Sequence, residues 1–300
     1  MENKIMQRVH DHLEETRERF DNSRIVGIFL QGSQNYGLQI PTSDVDTKLI
    51  LTPTFKEIVF NKKPISTTHV RANDEHTDLK DIRLMFSTFR KQNLNFIEIL
   101  FTHYLWVNPL FADEWNRLTA EREKIAHYSP YSAVKTMKGI AMEKYHAMEH
   151  EYPSKVAVLA KYGYDPKQLH HLLRVQEYIH RYTEGESYED CLHPRNPEFL
   201  IAVKQGYFNL EQARISAHSA MEDVLATADA FCEKVGKSFD PEVDELLDDV
   251  QYNIVKAAIQ KELKVWVHYI SIEVKASELL LLRIFLNKRY INVLLRLSRI

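Results

Sequence analysis

Two short apolar runs near the N-terminus, residues 25–30 (IVGIFL) and 45–51 (VDTKLIL), constrain the fold most strongly. Each is rich in β-branched or aromatic residues and too short for a typical helix, and the loop between them contains Gly37, Pro41 and Ser43. We therefore predict two buried, neighbouring strands. An amphipathic helix over residues 3–20 is expected to precede them. Further elements are expected after them: strands at 65–70 and 76–80, a helix at 81–91 and an apolar segment at 96–107.

The character of the chain changes after Pro109. From residue 112 to 264 glycine is scarce and apolar residues recur at helical spacing. The predicted helices cover residues 131–149, 166–183, 210–235 and 242–264. The expected fold is therefore α+β, with a small mixed-sheet domain at 1–110 and a mostly helical domain at 111–265.

One of these helices is delimited at both ends by its own sequence. Asp165 is a good N-cap, Pro166 suits the first helical position, and Gly185 follows the last turn. Residues three, four and seven apart lie on one face of a helix, so polar and aromatic side chains should form a stripe on this one. Its members are Lys167, His170, His171, Arg174, Tyr178 and Arg181. The stripe is either a phosphate-binding surface or an ordinary hydrated helix face.

Composition excludes several classes of protein. Hydrophobic residues make up 44% and charged residues 27%, and the net charge is −3, which argues against general disorder and against a nucleic-acid-coating protein. Cys191 and Cys232 have no spacing that suggests a disulfide framework or a metal site. The first 20 residues lack the apolar core of a secretory signal, and residues 1–278 contain no uncharged apolar stretch long enough to cross a bilayer. We expect a cytoplasmic location.

Residues 266–300 form a segment of different character. It contains six Lys or Arg against two Glu, and residues 279–300 are apolar and basic without any acid. An amphipathic helix on a membrane, a nucleic acid or a partner would have this composition. A helix packed on the core, or an end that is not native to the domain, would also explain it.

Gly32, Ser33, Asp44 and Asp46 are the first candidates for chemistry. Residues i and i+2 of a strand point to the same side, so Asp44 and Asp46 are expected to present both carboxylates to one place while Val45 turns into the core. Hard divalent cations prefer such oxygen ligands and leave room for substrate phosphates. A glycine permits close approach of a phosphate, and the Ser33 hydroxyl can bind it.

A third carboxylate is expected from a neighbouring strand. His76, Asp78 and Lys80 share one face of the predicted strand 76–80, with Thr77 and Leu79 on the other. Asp78 is the preferred candidate, because Glu75 and Asp81 are less well phased. It would bind a second metal ion or activate the attacking hydroxyl. A solvated strand face would explain Asp78 equally well.

Gly32-Ser33, ten intervening residues and Asp44-Val45-Asp46 resemble the GS…DxD signature of polymerase β-like nucleotidyltransferases. The segments 32–46 (GSQNYGLQIPTSDVD), 82–101 (IRLMFSTFRKQNLNFIEILF) and 162–179 (YGYDPKQLHHLLRVQEYI) further resemble the RNA-repair-pathway DNA polymerase β family. The resemblance covers roughly residues 20–265.

The resemblance implies a mixed-sheet nucleotidyltransferase domain with a helical partner, an NTP substrate, and Mg²⁺ in a two-metal site formed by Asp44, Asp46 and Asp78. It implies transfer of a nucleotidyl group to a hydroxyl, with an RNA or tRNA 3′ end as the expected acceptor and RNA repair or modification as the expected role. The predicted nucleotide contacts are Gly32, Ser33, Tyr36, Lys80, Lys167, His171 and Arg174. Protein AMPylation and a non-catalytic nucleotide-sensing module remain alternatives.

Overall fold

The computed structural model describes the backbone of residues 2–264 and the side chains of residues 4–264. The predicted basic segment 266–300 lies outside the described residues. Helix α1 spans Glu2–Arg17. The strands are β1 (Ile25–Gln31), β2 (Asp46–Leu51), β3 (Ser66–Val70), β4 (His76–Asp81) and β5 (Leu105–Val107). Among them lie the short helices α2 (Phe55–Val59), α3 (Ile82–Arg90) and α4 (Leu94–Ile97).

Helices form the remainder of the described chain. They are α5 (Ala112–Ala120), α6 (Arg122–Ala126), α7 (Pro130–Ala147), α8 (Val156–Tyr162), α9 (Pro166–Glu184), α10 (Tyr188–Leu192), α11 (Pro197–Lys204) and α12 (Leu210–Val235). A last helix, α13, covers 241–264. The predicted α+β class, with a mixed sheet followed by helices, is confirmed. None of the helices within residues 2–264 has the length and apolar character needed to cross a bilayer.

The five strands form one mixed sheet in the order β3-β4-β2-β1-β5. β2 pairs antiparallel with β1 and parallel with β4. The register places Gln31, the last residue of β1, opposite Asp46, the first residue of β2. It also places Lys48 of β2 opposite Asp78 of β4. These two pairings bring the Gly32-Ser33 turn and the acidic residues to the same part of the sheet.

Alternation along the strands gives the sheet two different faces. Leu49 and Leu51 of β2 and Leu79 of β4 pack under α1 in one apolar cluster. Asp46, Lys48 and Ile50 point to the opposite face, where Ile50 joins the main core beneath the helices. Asp46 and Lys48 therefore lie between the sheet and the helices of the main core, whereas Thr47 is on the α1 side, 3.0 Å from His12.

The main apolar cluster is continuous from the sheet into the helices. It includes Val26 and Phe29 of β1, Leu169 of α9 and Ile254 of α13. Phe29 and Trp115 stack with ring centroids 4.2 Å apart and connect β1 to α5. The division into domains at residue 110 stays a prediction, and the two parts share buried packing.

Helix α9 begins and ends where its sequence predicts. The Asp165 side chain accepts a hydrogen bond from the amide of Lys167, Pro166 occupies the first turn, and Gly185 ends the helix with φ of 92°. α9 packs against α7, α11 and α12 at the centre of the helical part. It is therefore a rigid support for side chains that face the sheet.

Candidate active site

A cleft between the sheet and the helices contains most of the residues predicted to carry chemistry. It has two adjoining parts, which we call the large lobe, of about 460 Å³, and the small lobe, of about 360 Å³. Asp46, Gly32, Ser33 and His171 line both lobes. These volumes are within the range of small-molecule sites. Asp46 and the Gly32-Ser33 turn therefore lie at the junction of the two lobes.

Each lobe has its own acidic and basic residues. The small lobe contains Asp44, Lys167 and Lys204. The large lobe contains these charged groups: Lys48, Asp78, Lys80, Glu98, Glu143, Lys144 and Arg174. All ten predicted site residues line one or both lobes.

Gly32 adopts a backbone conformation that is nearly specific to glycine. Its φ is 88° and its ψ is −161°. A Cβ built at this position would meet no atom of residues 4–264 within 4 Å, so glycine is required by the backbone and not by crowding. The turn that follows, Ser33–Tyr36, is a single 3-10 turn that ends at Gly37. The open space above Gly32 belongs to the cleft.

The placement of Asp44 differs from the prediction. Strand β2 begins at Asp46, so Asp44 lies in the preceding loop, and the prediction that both carboxylates lie on the strand is wrong for Asp44. The physical reason is that β1 ends at Gln31, opposite Asp46, and Gly32 turns the chain away, so residues 44 and 45 have no strand to pair with. Val45 nevertheless packs in the core, 8% exposed, as expected.

Asp44 and Asp46 remain close enough to affect each other. Burial raises the pKa of Asp46, and the negative charge of Asp44 raises it further, against a hydrogen bond from the His76 amide. That amide lies 2.8 Å from Oδ1 of Asp46, and Nδ1 of His76 lies 3.3 Å from the same oxygen. Lys167 is a nearby positive charge that favours the ionised form. A cation bound between the two carboxylates would relieve their repulsion.

Asp78 shares the large lobe with Asp46, but protein groups already bind both of its oxygens. Nζ of Lys48 lies 3.3 Å from Oδ2, and the Thr68 hydroxyl donates to Oδ1 at 2.5 Å. Burial alone would raise the pKa of Asp78, yet these contacts and the charge of Lys80 lower it. Thr77 and Leu79 face away, 1% and 2% exposed, as the predicted strand phase requires.

Asp44 and Asp46 lie in the same part of the cleft, where one divalent cation could contact both carboxylates. Asp44 and Asp46 line the small lobe together, and Mg²⁺ commonly takes one or two carboxylates plus substrate phosphates. Within residues 4–264, no three His, Cys, Asp or Glu side chains are arranged to hold a metal ion. A divalent cation held by Asp44 and Asp46 would need further ligands from outside these residues.

Glu98 and Arg174 both line the large lobe, close enough for their charges to interact. Glu98 is 4% exposed and accepts hydrogen bonds from the Tyr36 hydroxyl and the Gly32 amide. Burial raises the pKa of Glu98 to about 7, against the charge of Arg174 and the Gly32 hydrogen bond. The guanidinium of Arg174 lies 3.7 Å from the centroid of the Tyr36 ring. Tyr36 itself is 5% exposed, because its hydroxyl is bonded to Glu98 and its ring lies against Arg174.

One edge of the Arg174 guanidinium has no hydrogen-bond acceptor among residues 4–264. Nε and Nη2 are buried, and no group within the described residues accepts a hydrogen bond from either. These two N–H groups form the edge that binds a carboxylate or a phosphate in bidentate fashion. A buried charged donor without an acceptor is costly, so this edge is suited to an anionic ligand.

The helical stripe predicted on α9 divides between two environments. Lys167, His171 and Arg174 line the cleft. His170 also lines the large lobe, although it is only 1% exposed. Its Nδ1 lies 2.8 Å from the Leu200 carbonyl, and burial lowers its pKa to about 4. Tyr178 and Arg181 are buried elsewhere, 1% and 7% exposed, so the alternative of a hydrated helix face is wrong for them.

Sequence reasoning missed Lys48, Lys204 and the importance of Glu98. Lys48 lies on the same strand face as Asp46, two residues later, and strand phase alone would have found it. Nζ of Lys204 lies 3.2 Å from the Leu38 carbonyl and 3.3 Å from the Ser43 hydroxyl, so it ties α11 to the loop that carries Asp44. Nothing in the sequence marks Lys204, because this contact joins residues 161 positions apart.

Comparisons with known proteins add little to this geometry. No family model matches the chain, and no curated protein matches it. Among solved structures, a crystal structure of a nucleotidyltransferase-like protein from Exiguobacterium sibiricum 255-15 is similar over 75% of each chain, with 10% sequence identity and a TM-score of 0.27. A TM-score of this size does not establish a shared fold.

Proposed function

We propose that this protein is a Mg²⁺-dependent nucleotidyltransferase that moves an NMP from an NTP to a hydroxyl acceptor. The observation that carries the proposal is the register of β1 and β2, which sets Gly32 and Ser33 beside Asp46 where the two lobes meet. The GS…DxD resemblance of the sequence supports the same chemistry. The expected acceptor is the 3′ end of an RNA, such as tRNA.

The small lobe suits the phosphates of the donor. Lys167 and Lys204 supply positive charge there, and Asp44 and Asp46 would hold Mg²⁺ together with phosphate oxygens. Bound Mg²⁺ would neutralise phosphate charge and favour departure of pyrophosphate. Ser33 would hydrogen-bond the leaving phosphates, and Gly32 would allow their close approach. The unpartnered edge of Arg174 would receive a phosphate oxygen from the adjoining lobe.

The large lobe then suits the nucleoside of the donor together with the attacking hydroxyl of the acceptor. An acceptor hydroxyl near Asp78 would attack the α-phosphorus, forming a new P–O bond while the bond from the α-phosphorus to the bridging oxygen breaks. The hydroxyl proton would pass to Asp78 or to solvent, and pyrophosphate would leave. Lys80, His171 and Tyr36 line the same space and remain proposed nucleotide contacts. Catalysis would come mainly from positioning and charge neutralisation.

The test is transfer of label from α-labelled ATP, CTP, GTP or UTP, with Mg²⁺, to total RNA or to total protein. Wild-type protein should transfer α-label but no γ-label, because the β- and γ-phosphates leave together. The variant Asp44→Ala/Asp46→Ala should lose transfer by at least about 100-fold. Asp248→Asn is a matched control, since this aspartate is 74% exposed on α13 and pairs with Arg90. Equal labelling by the double variant would show that the chemistry lies elsewhere.

Ribonuclease treatment of the labelled products distinguishes an RNA acceptor from a protein acceptor. Label that ribonuclease removes supports an RNA acceptor, and label that survives ribonuclease on a polypeptide supports AMPylation. A nucleotide-sensing module is favoured by one specific observation, the absence of a three-ligand metal group within residues 4–264. Such a module would bind NTP in equilibrium dialysis and transfer no label in any arm.

A further inference from the structure

Lys48 is buried in the cleft and held there by two contacts of its side-chain nitrogen. Its side chain is 2% exposed, its Nζ is hydrogen-bonded to Asp78, and the same nitrogen lies 4.1 Å from the centroid of the Phe96 ring. The parallel pairing of β2 and β4 sets Lys48 directly opposite Asp78. Burial lowers the pKa of Lys48, while the charge of Asp78 and its hydrogen bond oppose that shift, and the cation–π contact also favours the ammonium.

The ammonium lies directly beside the carboxylate that a second metal ion would need. In a two-metal arrangement, Asp78 would share a metal ion with Asp46 from the large lobe. Here one oxygen of Asp78 faces Nζ of Lys48 and the other accepts from Thr68. A divalent ion on Asp78 would face a buried positive charge a few ångströms away, and the two charges repel strongly where water is excluded.

We propose that the Lys48 ammonium takes the place of a second divalent cation beside Asp78, so that the cleft binds an NTP with a single divalent cation at Asp44 and Asp46. This inference rests on the proposed function. Lys48 is then a positioning residue: it holds Asp78 toward the acceptor side of the cleft without contacting the reacting atoms. The second metal site of the expected two-metal arrangement is closed by a side chain of the protein itself.

The test counts Mn²⁺ ions per chain by equilibrium dialysis, using an ATP analogue whose α,β-bridging oxygen is a methylene group and which therefore cannot be cleaved there. A protein-free chamber corrects for Mn²⁺ bound to free analogue. Wild-type protein should bind one Mn²⁺ per chain–nucleotide complex, and Asp78→Asn should also bind one. Lys48→Met should bind a second Mn²⁺, which Lys48→Met/Asp78→Asn should lose again.

Two results would overturn the inference. One is a count of two in the wild type that falls to one in Asp78→Asn, since Asp78 would then be a metal ligand. The other is a count that stays at one in Lys48→Met, since Lys48 would then not exclude the second ion.

The matched control is a lysine outside the cleft. Lys138→Met removes a lysine of α7 that pairs with Asp229 at the surface, and it should leave the count at one. A wild-type protein that binds neither Mn²⁺ nor the analogue would contradict the proposed function itself. Asp46→Asn should lower the count to zero or weaken Mn²⁺ binding by at least about tenfold, which identifies the single ion with the Asp44–Asp46 end of the cleft.

Discussion

Replacing Glu98 by glutamine should change how the stability of the protein depends on pH. Glu98 is 4% exposed, and burial raises its pKa to about 7 from the usual 4.5, even though Arg174 and the Gly32 amide oppose the shift. Glutamine keeps the size of the side chain and a carbonyl oxygen for the Gly32 hydrogen bond. Because glutamine cannot ionise, the substitution removes only the part of the pH dependence of stability that comes from Glu98.

The magnitude follows from the shift. The folded protein holds the Glu98 proton more tightly than the unfolded chain, so stability contributed by this group is present below 4.5 and falls as the pH rises through about 7. The interval of about 2.5 pH units corresponds to about 3 kcal/mol of unfolding free energy at 1.36 kcal/mol per unit. Above about pH 7 the wild type should carry this full penalty, and Glu98→Gln should carry none.

The measurement is urea unfolding of both proteins at several values between about pH 5 and about pH 8. The stability of Glu98→Gln relative to wild type should increase by about 3 kcal/mol across this range. Glu143→Gln is a suitable control, because Glu143 also lines the cleft but its side chain is 66% exposed. Parallel pH profiles for Glu98→Gln and wild type would refute the reasoning, since Glu98 would then be ionised in the folded protein.

Three further substitutions test the backbone, the packing and the charge of the site. Gly32→Ala should cost about 1–3 kcal/mol in urea unfolding, because alanine avoids φ of 88°, and should weaken NTP binding in dialysis even where the fold persists. Phe29→Ala should cost about 3–5 kcal/mol, measured in the same way, because it removes the stack on Trp115 between sheet and helices; a loss below about 1 kcal/mol would contradict that packing. Lys204→Ala should weaken NTP binding by about 10- to 100-fold, most strongly at low salt, whereas the surface variant Lys138→Ala should bind as wild type does.

Much of the fold could be predicted because its signals are local. The helix α9 is delimited by Asp165, Pro166 and Gly185, each of which acts on its own turn of backbone. The strand phase of β4 follows from alternation, which buries Thr77 and Leu79 and directs Asp78 to the other face. Local rules failed at Asp44, because a strand continues only as far as it has a partner, and β1 ends at Gln31.

Other parts of the site depend on contacts between distant segments. Glu98 and Arg174 are 76 positions apart, and the burial that alters them comes from packing α9 over the Gly32-Ser33 turn and Tyr36. The pairing of Lys48 with Asp78 depends on the parallel register of β2 and β4, which are neighbours in the sheet but not consecutive along the chain. Each of these residue types is also common in ordinary surface or core positions. Their place in the candidate site can therefore be recognised only from the folded structure.

The sequence by itself determined the class of fold, the limits of α9, and the segment from Gly32 to Asp46 that contains the candidate residues. These features depend on backbone conformation, capping and strand alternation, each of which acts over a few residues. The tertiary structure alone decided which charges share the cleft. It buried Glu98, left one edge of Arg174 without an acceptor among the described residues, and set Lys48 against Asp78. The physical reason is that desolvation and charge pairing depend on the groups that surround a side chain in space, and those groups come from all parts of the described chain.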